Sequence, residues 1–169
     1  MSAIVDKLPK TMPAVMAYGP HDYRFEERSV PKPGPGEVLL KVRSTGVCAS
    51  DIKCYTGAPL FWGDEHRAGY CQAPVTPGHE FVGEVVGLGD GAAELYGLEI
   101  GDHAISEQIV PCWNCRYCKS GSYWMCNVHD IYGFRQRTFG SRADYMVFPA
   151  GALNYKVPKL HSVTPCSIH

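Results

Sequence analysis

No stretch of the 169-residue chain approaches the run of about 20 apolar residues that a helix needs to cross a bilayer. The opening residues, Met1 to Lys10, have no apolar core of the kind a secretory signal carries. An excess of charge of one sign is also missing: 16 Lys and Arg against 17 Asp and Glu leave a net charge of −1. Basic residues do not cluster, which argues against an electrostatic hold on nucleic acid or on a lipid surface. Helical periodicity is scarce, and there is no internal repeat or low-complexity segment. These absences read as a cytoplasmic chain with no membrane or nucleic-acid partner.

Glycine and proline are plentiful. Eighteen glycines and thirteen prolines divide the chain into short pieces rich in β-branched and aromatic residues. That punctuation suits an all-β barrel or sandwich and argues against a helix bundle. The length fits one domain with its own core. Strands are expected at Ala14–Tyr18, Tyr23–Ser29, Val38–Val47, Phe81–Leu88, His103–Val110 and Ala143–Phe148. Partial alternation over Glu37–Arg43 predicts a half-buried strand there. Helix is expected only as short pieces near Ser50–Tyr55 and Ala92–Tyr96.

Eight cysteines without an export signal suit a reducing compartment, where thiols serve metals. Four of them form Cys112-x2-Cys115-x2-Cys118-x7-Cys126. Thiolates at this spacing wrap one tetrahedral ion from a single loop, and zinc is the commonest occupant. An iron–sulfur cluster is the alternative, but the bacterial ferredoxin run places its next cysteine after three residues and follows it with proline. Here seven residues intervene and Asn127 follows Cys126. Disulfide pairing is the bland alternative. A closed zinc site of this kind says structure rather than chemistry.

Two further segments carry ligand-type residues: Gly46-Val47-Cys48-Ala49-Ser50-Asp51 at the end of an expected strand, and Pro77-Gly78-His79-Glu80-Phe81-Val82-Gly83 at the entry to another. A Cys, a His and a carboxylate delivered from strand ends suit an open zinc site with room for water or substrate. Taken singly, a lone Cys is more often an inert core residue and a lone His a satisfied polar one. Ser50 and Asp51 also have a plain reading, as caps of the short helix after them.

In this order, Gly46-Val47-Cys48-x-Ser50-Asp51, Gly78-His79-Glu80-x2-Gly83-x5-Gly89, Gly101-Asp102 and the four-cysteine lobe resemble the zinc-dependent medium-chain alcohol and polyol dehydrogenases. The resemblance runs from about Ala14 to Pro158 and is nearest in look to the threitol, erythritol and sorbitol branch. It implies an N-terminal GroES-like catalytic domain: mainly β, an irregular GroES-like β-barrel with a four-cysteine zinc lobe and few short helices. Residues 1–158 would form that domain, with the lobe at 112–127 and a short tail at 159–169. The resemblance implies that Cys48 and His79 bind a catalytic zinc, with Glu80 as ligand or exchange carboxylate. It gives Ser50 the first step of a proton relay and Asp51 the task of accepting from the far ring nitrogen of His79. Cys112, Cys115, Cys118 and Cys126 would hold the structural zinc.

The chain departs from that family in two places. Hydride transfer needs NAD(P), and no Rossmann domain is visible. The string Gly87-Leu88-Gly89-Asp90-Gly91-Ala92 matches its fingerprint, but Gly97 and Gly101 interrupt the segment after it and no βαβ run lies downstream. After Val157-Pro158 the family supplies a further ligand, often a Glu before Pro, where this chain has Thr164-Pro165. Cys166, His161 or His169 is the available substitute, and Lys53 stands where the relay usually ends in His. Cys54 and Cys71 read as plain thiols, and Phe61 and Trp62 as pocket lining or packing. His66, His103 and His129 receive no role.

The expectation is therefore a zinc-dependent, NAD(P)-linked alcohol or polyol dehydrogenase domain, inactive without a nucleotide-binding half. The alternative is a non-catalytic zinc module that self-associates or pairs with another chain.

Overall fold

The computed structural model describes residues 8–158. Expectations placed on His161, Thr164-Pro165, Cys166 and His169 lie outside the described residues.

The chain opens with a hairpin, β1 (Thr11–Gly19) against β2 (Asp22–Ser29), turning through Pro20 and His21. β3 (Val38–Thr45) then runs into α1 (Ala49–Tyr55) and α2 (Pro59–Trp62), followed by a small hairpin of β4 (Gly63–Asp64) and β5 (Arg67–Ala68). β6 (Phe81–Leu88) pairs antiparallel with β3, and α3 (Ala92–Tyr96) leads to β7 (His103–Ser106). β8 (Ile109–Val110) and β9 (Asp130–Ile131) pair at the base of an excursion that contains α4 (Arg116–Lys119). β10 (Tyr145–Phe148) and β11 (Asn154–Val157) complete a five-stranded antiparallel sheet, ordered β10-β3-β6-β7-β11. Among the described residues the fold is mainly β with four short α-helices, as expected, and the strands form separate ladders rather than one closed hydrogen-bonded ring.

The central sheet is buried on both faces. Leu40, Val85 and Met146 point into one apolar cluster with Val110, Tyr132 and Phe148. Their neighbours Leu39, Val86 and Tyr145 point the other way, onto Met12 of the hairpin. Successive residues of a strand face opposite sides, so each neighbouring pair serves both clusters. This corrects the half-buried reading of Glu37–Arg43 for its first part, where Val38, Leu39 and Leu40 are all 0% exposed; Lys41 and Val42 are half-buried and Arg43 is exposed, as expected. A strand covered on both faces shows a continuous apolar run instead of alternation.

The segment expected as one strand, His103–Val110, is two. β7 stays in the main sheet, while β8 leaves it to pair with β9. Glu107 turns its N–H to the Leu153 carbonyl at that break. The Gly87–Ala92 string serves packing. A Cβ on Gly89 would overlap the Gly34 carbonyl, and α3 ends after one short turn at Gly97. Among the described residues there is no βαβ unit.

Candidate metal centres

The end of one ladder brings two sequence segments together. Thr45 pairs with Phe81, and the Gly46 N–H donates to the Glu80 carbonyl at 2.8 Å. Cys48 lies just beyond one strand end and His79 just before the other, so their side chains meet. Cys48 Sγ is 3.0 Å from His79 Nε2, and Ser50 Oγ lies 2.7 Å from the sulfur and 3.2 Å from that nitrogen. Cys48, His79 and Glu80 each offer a ligand atom, all within 4.8 Å of one another. His79 is buried, Cys48 half-buried and Glu80 exposed. The Glu80 carboxylate fills the space left by the missing side chain of Gly46, where a Cβ would overlap it.

α1 fixes three of these residues at once. Cys48 is its N-cap: the sulfur accepts from the Ser50 N–H at 3.3 Å, and Asp51 Oδ2 accepts from the Cys48 N–H at 3.0 Å. This is a reciprocal capping box with a thiol in the usual place of a hydroxyl. The capping role open to Asp51 is thus realised. Its other oxygen, Oδ1, is 3.9 Å from His79 Nδ1, longer than a hydrogen bond. Oδ1 and Nδ1 are both buried without a hydrogen-bond partner.

Arg142, which no motif spacing singled out, lies 3.2 Å from Asp51 Oδ1. Its turn is stitched beneath the His79 loop: the Ser141 N–H donates to the Gly78 carbonyl and the Arg142 N–H to the Pro77 carbonyl. Arg142 and Asp51 edge an apolar cavity of about 260 Å³ walled by Val15, Tyr23, Val47, Ile52 and Tyr55. Phe134, also absent from the sequence reading, packs its ring 5.2 Å from that of His79 and stacks on Phe61 at 5.0 Å. Phe61 is therefore packing, and Trp62 donates its indole N–H to the Cys54 carbonyl at 2.6 Å. His66 is exposed beside Glu65, and the His129 ring sits 6.2 Å from that of Tyr70.

The second cluster is built by the excursion between β8 and β9. α4 carries Cys118 into contact with Cys115 and Cys112, with sulfur–sulfur distances of 3.6 and 4.0 Å. A tetrahedron with metal–sulfur bonds of about 2.3 Å has edges of about 3.8 Å, so the spacing suits a zinc ion. Backbone N–H groups point at sulfur: Cys112 donates to Cys126, and Asn114 and Cys115 donate to Cys112. Such donors favour thiolate over thiol. The Cys115 thiol is lowered to about 6, chiefly by the backbone N–H of Cys118, while burial pushes Cys118 up to about 12.

Both donor sets fit zinc. Four sulfurs make a closed site; a sulfur, a nitrogen and a carboxylate, with no fourth group joining them among the described residues, make an open one.

Residues 34–159 match the family model described as the alcohol dehydrogenase GroES-like domain. The chain is 52% identical to the erythritol/L-threitol dehydrogenase of Mycolicibacterium smegmatis over 97% of its own length and 48% of that protein. It is 37% identical to the L-threonine 3-dehydrogenase of Pyrococcus horikoshii, covering 90% of this chain and 40% of the relative. Among solved structures it resembles the cobalt- and zinc-bound thermostable alcohol dehydrogenase from Pyrobaculum aerophilum, with a TM-score of 0.67 and 32% identity. That match covers 85% of this chain and 41% of the other. The chain spans half or less of the length of these relatives. It belongs to the alcohol dehydrogenase GroES-like domain family and is such a domain of the zinc-dependent alcohol and polyol dehydrogenases.

Proposed function

We propose that this chain is the substrate-side half of an NAD(P)-linked dehydrogenase acting on a small polyol, with residues 1–158 as its catalytic domain and 112–127 as its structural zinc lobe. The observation that carries the reading is the convergence of Cys48, His79 and Glu80 on one point, with the Ser50 hydroxyl against the same sulfur and nitrogen. The 52% identity to an erythritol/L-threitol dehydrogenase supports a short polyol as substrate.

Cys48, His79 and Glu80 would hold the catalytic zinc, and Cys112, Cys115, Cys118 and Cys126 the structural one. When bound, the catalytic ion supplies Lewis acidity toward a substrate hydroxyl. Ser50 sits where it can accept that hydroxyl's proton and pass it outward. Asp51, anchored by Arg142 and by the helix cap, presents a carboxylate toward His79 Nδ1 and favours the tautomer whose proton sits there. Glu80, being exposed, is free to swing between ligand and solvent. The hydride must leave for a nicotinamide, and the described residues include no nucleotide-binding unit, so this chain by itself should not turn over.

The test is zinc content per chain. Wild type should carry two ions, His79→Ala one with the fold intact, and Cys115→Ser one with the fold weakened. Unchanged zinc in His79→Ala would remove the active-site assignment. Appreciable oxidation of a polyol with NAD by the purified chain alone would remove the requirement for a second half.

A second reading has one observation in its favour. Val47, Ile52 and Tyr55 are 44%, 59% and 41% exposed around the cavity beside α1. An open apolar face suits pairing, either with a nucleotide-binding unit or with a second copy in a non-catalytic zinc module. A concentration-dependent dimer lacking zinc at Cys48 and His79 would favour the module; a monomer carrying two zincs would favour the enzyme half.

A further inference from the structure

The hairpin β1–β2 stands as a sheet of its own, and among the described residues only one of its edges is occupied. β1 is bridged on its far side by Val75 and Ala143. There the Ala17 N–H donates to the Val75 carbonyl and the Val15 N–H to the Arg142 carbonyl, both at 2.8 Å. β2 has no strand beyond it among the described residues. Arg24, Phe25, Glu27, Arg28 and Ser29 are all exposed along it, Phe25 to 78%. Natural sheets blunt such an edge with proline, lysine, a bulge or brevity. β2 runs eight residues and holds neither proline nor lysine.

The direction of each backbone group along this edge follows from the ladder. Neighbouring residues of a strand turn their N–H and C=O groups to opposite sides. Val15 and Ala17 turn theirs away from β2, so their cross-strand partners Phe25 and Tyr23 turn theirs away from β1. Glu27 does the same: its partner is Pro13, which has no N–H to give. Arg24, Glu26 and Arg28 face β1, and the Val30 N–H, donating to the Lys10 carbonyl, keeps the alternation. The free edge therefore offers the backbone groups of Tyr23, Phe25 and Glu27.

We propose that β2 is a self-pairing edge: two copies of the chain join β2 to β2, antiparallel about a twofold axis at Phe25, and make one sheet ordered β1-β2-β2-β1. Outward-facing residues must oppose outward-facing residues, so the axis passes beside one residue and not between two. With the axis at Phe25, every residue from Asp22 to Arg28 finds a partner. Arg24 then lies opposite Glu26 of the second copy, and Asp22 opposite its Arg28, each pair occurring twice by symmetry. The Asp22–Arg24 pair within each copy, at 2.8 Å, links them into a row of alternating charge. Moving the axis to Arg24 or Glu26 sets that residue against its own charge, and moving it to Tyr23 or Glu27 shortens the ladder. Opposite charges across a ladder stabilise it and like charges weaken it, so the sequence of β2 selects one register. A contact of this isologous kind closes on itself and stops at a dimer. Phe25 shares a face with Val15, which lines the cavity beside α1, so the two Phe25 rings would cover each other between the two cavities. The contact is a strand edge, distinct from the open face around Ile52. It uses neither metal site and so stands or falls apart from the catalytic reading.

Sedimentation of the zinc-loaded full chain over a range of concentrations should show a reversible monomer–dimer equilibrium that weakens as salt is raised. Arg24→Glu and Glu26→Arg should each raise the dissociation constant about tenfold or more, because each turns attractions on both sides of the axis into repulsions. Combining the two restores opposite charges and should return the constant to within about threefold of wild type. Glu27→Pro removes an outward N–H that β1 does not use, and proline is tolerated at such edge positions. It should abolish the dimer and leave the thermal midpoint of the dilute chain nearly unchanged. In the wild-type chain, amide exchange at Tyr23, Phe25 and Glu27 should slow on concentration, while that at Arg24 and Glu26 stays as it was. A monomer at every concentration overturns the proposal. So does a dimer indifferent to both Arg24→Glu and Glu27→Pro, whose contact must lie elsewhere. The exchange measurement needs no variant and decides the register even where a substitution unfolds the hairpin.

Discussion

Arg142 and His79 share one carboxylate oxygen: Asp51 Oδ1 is 3.2 Å from a guanidinium nitrogen and 3.9 Å from His79 Nδ1. The other oxygen of Asp51 is committed to the first turn of α1. One nearly buried side chain thus joins the helix that carries Cys48, the loop that carries His79 and the turn that carries Arg142.

Arg142→Met should therefore cost more than an ordinary surface change. It leaves a buried negative charge with no cation facing it, and breaking such a pair costs about 3–5 kcal/mol where desolvation is nearly complete. Arg142 keeps about a fifth of its side chain exposed, so the lower part of that range is expected, at about 3 kcal/mol. Arg142→Lys should recover part of the loss. Urea unfolding of the zinc-loaded chain measures both.

Gly46→Ala should separate metal binding from folding. The new Cβ would overlap the Glu80 carboxylate, which can swing into solvent, and come within 3.0 Å of the Glu80 Cβ, which must shift slightly. The thermal midpoint should fall only modestly, whereas the cobalt(II) spectrum of the second site should shift as the carboxylate is driven from its place. An unchanged spectrum would mean that Glu80 contributes nothing to that site.

The metal-free lobe should respond to pH in a set direction. Cys115 ionises at about 6 in the fold, below the ordinary thiol value of 9.0. A depressed folded value stabilises the fold above the unfolded one and loses that contribution as the pH falls through the folded one. Stability of the zinc-free chain should accordingly rise between about pH 6 and pH 9. Cys118 acts in the opposite sense above that window, because its value is pushed up to about 12 and its contribution fades as the pH rises toward it. Urea midpoints across this range, in the presence of a chelator, check the sign; a midpoint that falls from pH 6 to 9 would refute it.

Leu40→Ala tests the doubly covered sheet. Leu40 is 0% exposed and sits in the larger cluster with Val85 and Met146. Removing its side chain from a close-packed site should cost about 2–5 kcal/mol. A similar loss is expected for Leu39→Ala on the opposite face, because Met12 of the hairpin covers it. A cost below about 1 kcal/mol at Leu39 would mean that the hairpin face is open to solvent.

The sequence alone determined whatever is written in local order. The four-cysteine spacing, the short helix after Cys48, the strand at Phe81–Leu88 and the failure of the Gly87–Ala92 string to open a long helix all depend on neighbours a few residues apart. Their physics is that of turns, caps and chain reach. The tertiary structure decided what depends on residues distant in the chain. The first half of strand β3, Val38 to Leu40, is apolar on both faces because a hairpin from the N-terminus covers one of them. β8 leaves the main sheet because its partner, β9, lies beyond the whole lobe. Arg142 and Phe134 reach the His79 site only through the packing of a turn more than 50 residues further on. Cys54 and Cys71 join one apolar cluster because Phe61 and Trp62 hold both of their backbones. No pattern along the chain encodes such meetings, since they arise from the folding of the sheet as a whole.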